Sequence, residues 1–352
     1  MILVAKGYPA QFIQTFYLCL FLSIIAGCEL SPKPPEQVTI SGPTMGTSYT
    51  IKLIPESTPF SKDKLHTQIK DRLKRINQLM STYDSKSELS RFNRAKEGQW
   101  FSISKETLQV VETSISISEK SEGAFDFTVG GLVDLWGFGK KDRTDQIPSE
   151  NEILSLLKTT GYKKVQVRSL PPAIRKRFKN IELDLSAIAK GFAVDEIAAL
   201  LVDQGIYKFL VEIGGEIKTM GTKHNNRPWT VAVENPKDFE RSVRIVLTLN
   251  NNGLATSGDY RNFFTIKGKR YSHTINPVTG VPAKHNLASV SVVHSSTMIA
   301  DVWATAFMVM GPETGLKVAK REGLAVLFIV RTDTGFSDLM TDQFASYIVS
   351  GN

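Results

Sequence analysis

Cysteine is nearly absent from this chain. Its 352 residues include two cysteines, Cys19 and Cys28, and both precede the part of the sequence that can fold. Neither a disulfide framework nor a cysteine-ligated metal site is therefore expected in that part. The roughly 320 residues that follow, in a chain that is 41% hydrophobic, can bury a large core without such crosslinks.

The chain also lacks an internal repeat, a regular alternation of strands and helices, and, beyond its N-terminal region, any low-complexity linker. The missing alternation argues against a doubly wound parallel sheet. The sequence predicts an α+β fold, with mixed or antiparallel sheets layered with helices, in a single domain over residues 37–352.

Long blocks of basic residues are missing too, although the net charge is +8. The longest run is Arg175-Lys176-Arg177 with Lys179, which we interpret as a solvated loop. One aromatic residue, Phe178, stands within it, but the chain has neither a longer interleaving of aromatic and basic residues nor a recognisable reading motif, so nucleic acid is not an expected partner. An anionic membrane surface or a phosphate-rich small ligand would gain from the positive excess.

The N-terminus has the pattern of a lipoprotein signal. A positive Lys6 precedes an apolar stretch over residues 12–26, and the small residues Ala26 and Gly27 stand directly before Cys28. We expect cleavage after residue 27, a lipid on Cys28, and a proline-rich tether over residues 28–36. The domain would then be exported and lipid-anchored at a membrane. The alternative is an uncleaved hydrophobic anchor.

Small hydroxyl residues and glycines crowd the segment from Gly253 to Pro282, together with one histidine, His273. Two short strands, 263–266 and 270–275, are predicted around Lys267-Gly268-Lys269. Such a hairpin would hold His273 beside the predicted turn at residues 256–259 and would form a cradle for a polar ligand. The alternative is a surface hairpin with a hydrogen-bonded histidine.

Two further segments carry hard oxygen ligands. Asp301 and Thr305 lie four residues apart in a predicted helix, so their side chains share one face and can anchor Mg²⁺. Asp184 to Gly191 joins a predicted strand to a helix, where the Ala187 carbonyl could complete a cation site and Lys190 could meet a phosphate. Surface capping by Asp301, and an ordinary helix start capped by Ser186, are the alternatives.

Glycine and aromatic residues alternate at residues 123–131 and 135–139. Flat rings stack well on such surfaces. For Trp136 and Phe138, however, packing in the core is the favoured interpretation over ligand contact.

Taken together, these segments resemble the ApbE family of exported flavin-handling lipoproteins, the FAD:protein FMN transferases. The resemblance covers nearly all of the chain after residue 28, and eight motifs in register make it specific. The motifs are Thr44 to Thr47, Ser81 to Asp84 with Ser87 to Asn93, Gly123 to Gly139, Asp184 to Gly191, Glu212 to Glu216, Ala255 to Asn262, Tyr271 to Gly280 and Ala300 to Thr305.

The resemblance implies an ApbE-like, T-fold-related catalytic domain that binds FAD and one Mg²⁺ held by Asp301, Thr305 and the Ala187 carbonyl. A threonine or serine hydroxyl of an acceptor protein would attack the FMN phosphorus, and AMP would leave. His273 is our candidate for the base. The residues that look like the family's FAD contacts are Met45, Tyr83, Ala124, Phe125, Asp126, Asp184, Lys190 and Ile275.

Three functions stay open: FMN transfer to protein, hydrolysis of FAD to FMN and AMP at the same metal site, and flavin carriage without chemistry. The resemblance also implies acceptors among the flavoprotein subunits of the Na⁺-translocating NADH:quinone reductase and of Rnf-type complexes. It places the enzyme on the periplasmic face of a bacterial membrane, the inner membrane by preference, where a lipid on Cys28 would hold it.

Overall fold

The computed structural model describes residues 36–56, 60–140, 146–237, 242–260 and 262–349. The predicted signal peptide, Cys28 and the tether up to residue 35 lie outside the described residues. From Gln37 onward the chain forms one compact unit. No helix within the described ranges is long and apolar enough to cross a membrane.

An eight-stranded sheet forms the centre of the domain, and each pair of neighbouring strands in it is antiparallel. Its inner strands are rich in valine, isoleucine and leucine because helices and a second apolar cluster cover them. In spatial order the strands are β1 (Val38–Thr44), β2 (Thr47–Leu53), β6 (Phe209–Ile213), β7 (Glu216–Met220), β10 (Gly253–Gly258), β13 (Leu287–His294), β14 (Ala325–Thr332) and β15 (Gly335–Met340).

Three smaller antiparallel sheets surround the central one. A single parallel bridge, Val129 to Glu182, ties two loops together. The small sheets comprise β3 (Phe101–Ser102), β5 (Pro172–Lys176) and β4 (Val165–Ser169) in that order, β8 (Trp229–Glu234) with β9 (Val243–Leu249), and β11 (Phe263–Ile266) with β12 (Lys269–Ser272).

Several of the helices begin at serine caps. Most helices bury one stripe, and two bury most of their surface. Ser61 and Ser104 cap α1 and α3 by accepting hydrogen bonds from backbone amides three residues on. The helices are α1 (Lys62–Met80), α2 (Glu88–Arg94), α3 (Lys105–Lys120), α4 (Gly130–Leu135), α5 (Glu150–Leu157), α6 (Ser186–Asp203), α7 (Thr297–Met310), α8 (Pro312–Arg321) and α9 (Asp342–Ala345).

Helices α6 and α7 are the most deeply buried and pack directly on each other. Gly191 permits the close approach, because a Cβ atom at that position would lie 2.4 Å from the Thr297 carbonyl oxygen and 2.8 Å from the Asp301 Cβ. The start of α7 and the first two turns of α6 are therefore held side by side. This contact brings two of the sequence-predicted segments together.

The fold class predicted from the sequence is confirmed: the domain is a single α+β unit of antiparallel sheets and helices. Three local predictions are wrong. Residues 256–258 belong to strand β10, because they pair with β13. The predicted strand at residues 180–184 is irregular apart from the bridge at Glu182.

The third error concerns the basic run. Arg175 and Lys176 lie on β5, and the Lys176 side chain is fully buried. Its Nζ donates to the backbone carbonyls of Asn93 (2.6 Å) and Ile181 (3.2 Å). These hydrogen bonds satisfy the ammonium group in the interior. The prediction of a solvated loop is therefore wrong for Arg175 and Lys176, whereas Arg177 and Lys179 lie exposed in the turn that follows β5.

Candidate active site

A cleft of about 700 Å³ opens between the helix pair α6–α7, the ends of several strands and the β11–β12 hairpin. Volumes of this size are typical of small-molecule sites. Its wall combines hydroxyl groups from Thr47, Thr256, Ser257 and Thr305, the carboxyl groups of Asp184, Glu216 and Asp301, and the side chains of Lys190 and His273.

The β11–β12 hairpin positions His273 as the sequence predicts. Lys267 and Gly268, both with positive φ (48° and 74°), form its two-residue turn, which suits the twist of the flanking strands. His273 directly follows β12, and its Nδ1 lies 3.0 Å from the Asn262 carbonyl oxygen. That carbonyl can accept a hydrogen bond from a protonated Nδ1, which would leave Nε2 as the basic nitrogen.

The environment of His273 favours the neutral imidazole. Burial lowers its pKa below the ordinary value of 6.5, and the positive charge of Lys190 lowers the pKa further, against the hydrogen bond to Asn262 and the charge of Asp259. A histidine of this kind is unprotonated near neutral pH. It can therefore accept a proton there.

The start of α6 places three predicted residues on the cleft wall. Asp184 accepts a hydrogen bond from the Ser186 amide (2.8 Å) and thereby closes the turn into the helix. The Ser186 side chain does not cap the helix, so the alternative of a serine-capped start is wrong. Ala187 and Lys190 follow on the exposed side of the first turns, and both line the cleft.

Asp301 and Thr305 lie on one face of α7, as their spacing predicts, and both line the cleft. Asp301 is 3% exposed. One of its oxygens, Oδ2, accepts a hydrogen bond from the Gly191 amide (2.9 Å), whereas Oδ1 lies 3.9 Å from Lys190 Nζ. The Thr305 hydroxyl is 3.2 Å from the Ser257 hydroxyl of β10. Surface capping by Asp301 is thereby excluded.

Glu216 completes a buried charge cluster at the floor of the cleft. Its Oε1 accepts from Lys190 Nζ at 2.7 Å, while its Oε2 is buried without a hydrogen-bond partner among the described residues. Burial and the charge of Asp301 raise the pKa of Glu216 to about 7, against the opposing effect of Lys190. Burial also raises the pKa of Asp301. Two carboxyl groups thus share one ammonium group.

Lys190 stays charged in this cluster. Burial alone would lower its pKa, but Asp301 and Glu216 outweigh that effect and raise the pKa above its ordinary value. An excess of carboxylate over ammonium in a buried site favours a further cation.

The donor set fits a Mg²⁺ ion. Asp301 Oδ1 and Glu216 Oε2 are carboxylate oxygens without a hydrogen bond in the described structure, and the Thr305 hydroxyl and the wall at Ala187 border the same cleft. Hard oxygen ligands with places left for water or phosphate are what Mg²⁺ requires. The described residues contain no cluster of three His, Cys, Asp or Glu side chains that would form a cage without a substrate.

The structure brings eleven of the twelve predicted catalytic, FAD-contacting and metal-binding residues to the cleft. Met45 is the exception: it occupies the β1–β2 turn with positive φ (48°) and packs against the main core. Tyr83 lies on the rim with 71% of its surface exposed. The eleven are Tyr83, Ala124, Phe125, Asp126, Asp184, Ala187, Lys190, His273, Ile275, Asp301 and Thr305.

Asp126 is buried and rigidly held below the cleft wall. Its Oδ1 accepts from the Thr128 amide (2.8 Å) and hydroxyl (2.6 Å), and its Oδ2 accepts from the Tyr162 amide (2.7 Å). Burial nevertheless raises its pKa, against these hydrogen bonds. The side chain therefore fixes the loop at residues 124–128, whose remaining surface is available to a ligand.

Trp136 packs in the core, as the sequence analysis favours. Its Nε1 donates to the Gly280 carbonyl (2.8 Å), and its ring stacks on Tyr271. Phe138 differs, because its ring both stacks on Phe264 and lines the cleft beside His273, with 6.3 Å between the centroids of Phe138 and His273.

Sequence reasoning misses two residues that organise the site. Glu216 could not be identified from the sequence, because its motif does not indicate that its side chain contacts Lys190. Asp195, on α6, accepts hydrogen bonds from the Ser296 hydroxyl and from the Thr297 and Met298 amides at the start of α7 (2.7 to 3.0 Å). The one sequence feature that could have indicated a role for Asp195 is its place on the predicted helix, four residues after Gly191 and five after Lys190.

The domain combines an open polar cleft, a buried carboxylate–lysine cluster and a histidine that can act as a base. These features are typical of an enzyme that acts on a charged small molecule. A sequence model of the ApbE family matches residues 45–328. The chain belongs to the ApbE family, and it is an enzyme.

Curated relatives are similar over almost their whole length. The FAD:protein FMN transferase of Vibrio cholerae is 43% identical over 327 residues, which cover 93% of this chain and 96% of that protein. The protein of the same name from Escherichia coli K12 is 38% identical over 331 residues, covering 92% and 94%.

Solved structures agree with the fold. The flavin transferase ApbE from Vibrio cholerae superimposes with a TM-score of 0.83 at 41% identity, over 89% of this chain and all of that one. The apo form of the Pseudomonas stutzeri flavinyl transferase ApbE gives a TM-score of 0.84 at 36% identity, over 92% and 100%. The resemblance predicted from the sequence motifs is confirmed.

Proposed function

We propose that this enzyme is a FAD:protein FMN transferase that uses Mg²⁺ to transfer FMN from FAD to a threonine or serine hydroxyl of an acceptor flavoprotein. The observation that carries this proposal is the presence, in one cleft, of His273 and of the paired oxygen ligands Asp301 and Thr305. The names of the relatives support the same activity.

Different residues of the cleft would bind different parts of FAD. Lys190 and the amide-rich start of α6 would bind the diphosphate, because an ammonium group and a helix N-terminus both favour anions. Tyr83 on the rim and the loop at residues 124–126 offer aromatic and backbone contacts to the flat groups. Ile275 and Phe138 add apolar surface beside His273.

Asp301, Thr305 and the Ala187 carbonyl are the proposed Mg²⁺ ligands. Glu216 lines the same cleft, and its Oε2 has no hydrogen-bond partner among the described residues, so it is a further candidate to bind the ion or a metal-held water. When bound, Mg²⁺ supplies positive charge to the diphosphate oxygens as negative charge grows on the leaving group. Lys190 remains charged beside it and contributes to the same stabilisation.

The proposed reaction is a displacement at phosphorus. The acceptor oxygen forms a bond to the phosphorus of the FMN half of FAD, the phosphoanhydride bond to AMP breaks, and AMP leaves with the bridging oxygen. His273 takes the proton of the acceptor hydroxyl at its Nε2, which the contact of Nδ1 with Asn262 leaves available. The product is FMN joined to the acceptor through a phosphoester bond.

Location and partners are proposed from the N-terminal sequence. A lipid on Cys28 would hold the domain at the periplasmic face of a bacterial membrane, by preference the inner one. Acceptor subunits of the Na⁺-translocating NADH:quinone reductase or Rnf type would meet it there. Mass spectrometry of the protein from membranes should find a lipidated N-terminal Cys28; an intact Met1 would contradict this proposal.

Incubation of the enzyme with FAD, Mg²⁺ and a purified acceptor subunit, followed by a gel read for flavin fluorescence, tests the activity. A fluorescent acceptor band is the expected result. Release of AMP without a fluorescent band would identify a FAD pyrophosphatase, with water as the nucleophile. Unchanged FAD would identify a flavin-binding lipoprotein without chemistry. Either of the last two results overturns the proposal.

A further inference from the structure

Away from the cleft, the small sheet β3–β5–β4 carries an exposed tryptophan between two arginines. The residues are Trp100, just before β3, Arg168 on β4 and Arg175 on β5. The guanidinium carbons of Arg168 and Arg175 lie 4.9 and 4.7 Å from the centre of the Trp100 ring. Both contacts have the geometry of cation–π interactions. The ring therefore holds two cations as close neighbours.

Neither arginine has a carboxylate partner among the described residues. Arg168 Nε donates to the Pro171 carbonyl (3.1 Å) and Arg175 Nε donates to the Gln166 side chain (2.8 Å). The terminal amino groups of both guanidiniums make no hydrogen bond within the described part of the chain. Glu112, on α3, accepts a hydrogen bond from the Ser169 hydroxyl of β4 (2.8 Å) and from neither arginine among the described residues.

The β4–β5 hairpin adds a second exposed apolar side chain. Leu170, in its turn, has 87% of its surface exposed, and Trp100 has 38% exposed. The opposite side of the sheet packs into the core through Ile174 and Val165. We call Trp100, Arg168, Leu170 and Arg175 the basic–aromatic patch. It faces solvent although burial of its apolar groups would be favourable.

We infer that the basic–aromatic patch binds the surface of a membrane that contains anionic phospholipids. Tryptophan and leucine enter the boundary between headgroups and acyl chains, and arginine binds phosphate with paired amino groups. Both guanidiniums lie beside the Trp100 ring, so their two positive charges attract the same anionic headgroups. The whole chain, with a net charge of +8, is attracted to the same surface.

The sequence also favours a membrane as the occupant. A lipid on Cys28, as proposed above, would leave nine residues, 28–36, before the folded unit. Fully extended, they span at most about 30 Å. So short a tether keeps the domain at a high local concentration near the headgroups. A patch with low affinity for lipid is then sufficient to determine which face of the domain contacts the membrane. The patch would then fix the direction in which the cleft opens toward acceptors.

Sedimentation with vesicles tests the inference without FAD, acceptor or lipid anchor, so its outcome is independent of the proposed activity. Residues 37–352, which form one compact unit, are mixed with vesicles of phosphatidylcholine alone or with an equal part of phosphatidylglycerol. Binding to the anionic vesicles only, weakened by added salt, is the expected result.

Two variants with the same loss of charge make the test specific. Arg168→Gln with Arg175→Gln should weaken binding by about thirtyfold, since each basic side chain at an anionic surface contributes about fivefold. Lys70→Gln with Lys74→Gln, on the exposed face of α1, should change binding much less. Leu170→Ser should weaken binding while preserving its salt dependence. Thermal unfolding verifies that each variant is folded.

Three results would overturn the inference. The unit could fail to sediment with anionic vesicles, or the two double variants could lose binding equally, which would reveal attraction by net charge alone. Alternatively, the Arg168 and Arg175 variant could lower flavin transfer to a soluble acceptor in the absence of vesicles. That result would identify the patch as a docking surface for protein.

Discussion

Asp301 is the residue on which the proposed metal site most depends. It is buried, and among the described residues only one of its oxygens accepts a hydrogen bond. Asp301→Asn keeps the shape of the side chain and removes its charge. We expect Mg²⁺-dependent turnover to fall by at least about 100-fold, because metal-held charge contributes several kcal/mol to the transition state. Calorimetric titration with Mg²⁺ and FAD should record the loss of metal binding.

The matched control is Asp342→Asn, which removes the same charge from an exposed position in α9. Its turnover should equal that of the unsubstituted enzyme. Unchanged Mg²⁺ dependence in Asp301→Asn would show that this carboxylate does not hold the ion.

The pKa of His273 predicts the acid limb of the pH profile. Burial lowers the pKa below 6.5, so the folded enzyme keeps a neutral imidazole until the pH falls below that value. Activity should therefore persist at pH 6.5 and decline only under more acidic conditions. Rate measurements across the pH range, as kcat/KM, report this ionisation in the free enzyme.

Substitution separates the two roles that His273 can play. As a general base it contributes on the order of 100- to 10,000-fold to the rate, so His273→Asn should lower kcat by that amount, spare FAD affinity and abolish the acid limb. His224→Asn, outside the cleft, serves as the control. Equal losses of FAD affinity and rate would make His273 a binding residue.

Residue types and spacing alone reveal part of this site. Asp301 and Thr305 share a helix face at a spacing of four, and the Lys267–Gly268 turn indicates the hairpin that carries His273. The contact between Lys190 and Glu216 is different. It joins a helix to a strand of the central sheet, and such a contact depends on how the elements pack, which no local pattern encodes.

At the scale of elements, the contact between α6 and α7 sets the geometry of the metal site. Asp195 on α6 accepts three hydrogen bonds from the first residues of α7, and Lys218 Nζ lies 3.5 Å from its Oδ1. A negative charge at a helix N-terminus is stabilising. Asp195 therefore fixes α7, and with it Asp301, against α6.

We expect Asp195→Asn to lower the free energy of unfolding by about 1–2 kcal/mol. Because α7 loses part of its support, the affinity for Mg²⁺ should also fall, even though Asp195 does not line the cleft. Chemical denaturation and metal titration measure the two effects.

Asp203→Asn, at the exposed end of the same helix, is the control and should change neither quantity appreciably. A stability loss in Asp195→Asn with unaltered Mg²⁺ affinity would show that the capping is structural only.

Helices are the elements that the sequence predicts best. Apolar residues at helical spacing indicate α1 and α3 within one residue of their observed ends, and the serine caps mark their starts. Strands are harder. β5 carries the charged residues Arg175 and Lys176, and Lys176 is buried only because the carbonyls of Asn93 and Ile181 meet its ammonium group. Those carbonyls come from a distant helix and a loop.

At the scale of the whole molecule, composition and the order of predicted elements limit the possible fold classes before any motif is considered. Both cysteines precede residue 37, so no disulfide can crosslink the folded unit. The lack of alternating strands and helices argues against a doubly wound sheet, in agreement with the antiparallel sheets observed. The assembly of the cleft from α6, α7, β10 and the β11–β12 hairpin could be inferred only from the family resemblance. Residues far apart in the chain form it, and their pairing depends on the complete core.

The intact mass of an acceptor subunit, measured beside the AMP released, tests the central claim most directly. With enzyme, FAD and Mg²⁺, the account predicts that each acceptor gains one FMN, joined with loss of water, and that one AMP appears for each FMN attached. Chelation of the metal should stop both. An acceptor of unchanged mass while AMP accumulates would contradict the account, since water and not a protein hydroxyl would then be the nucleophile.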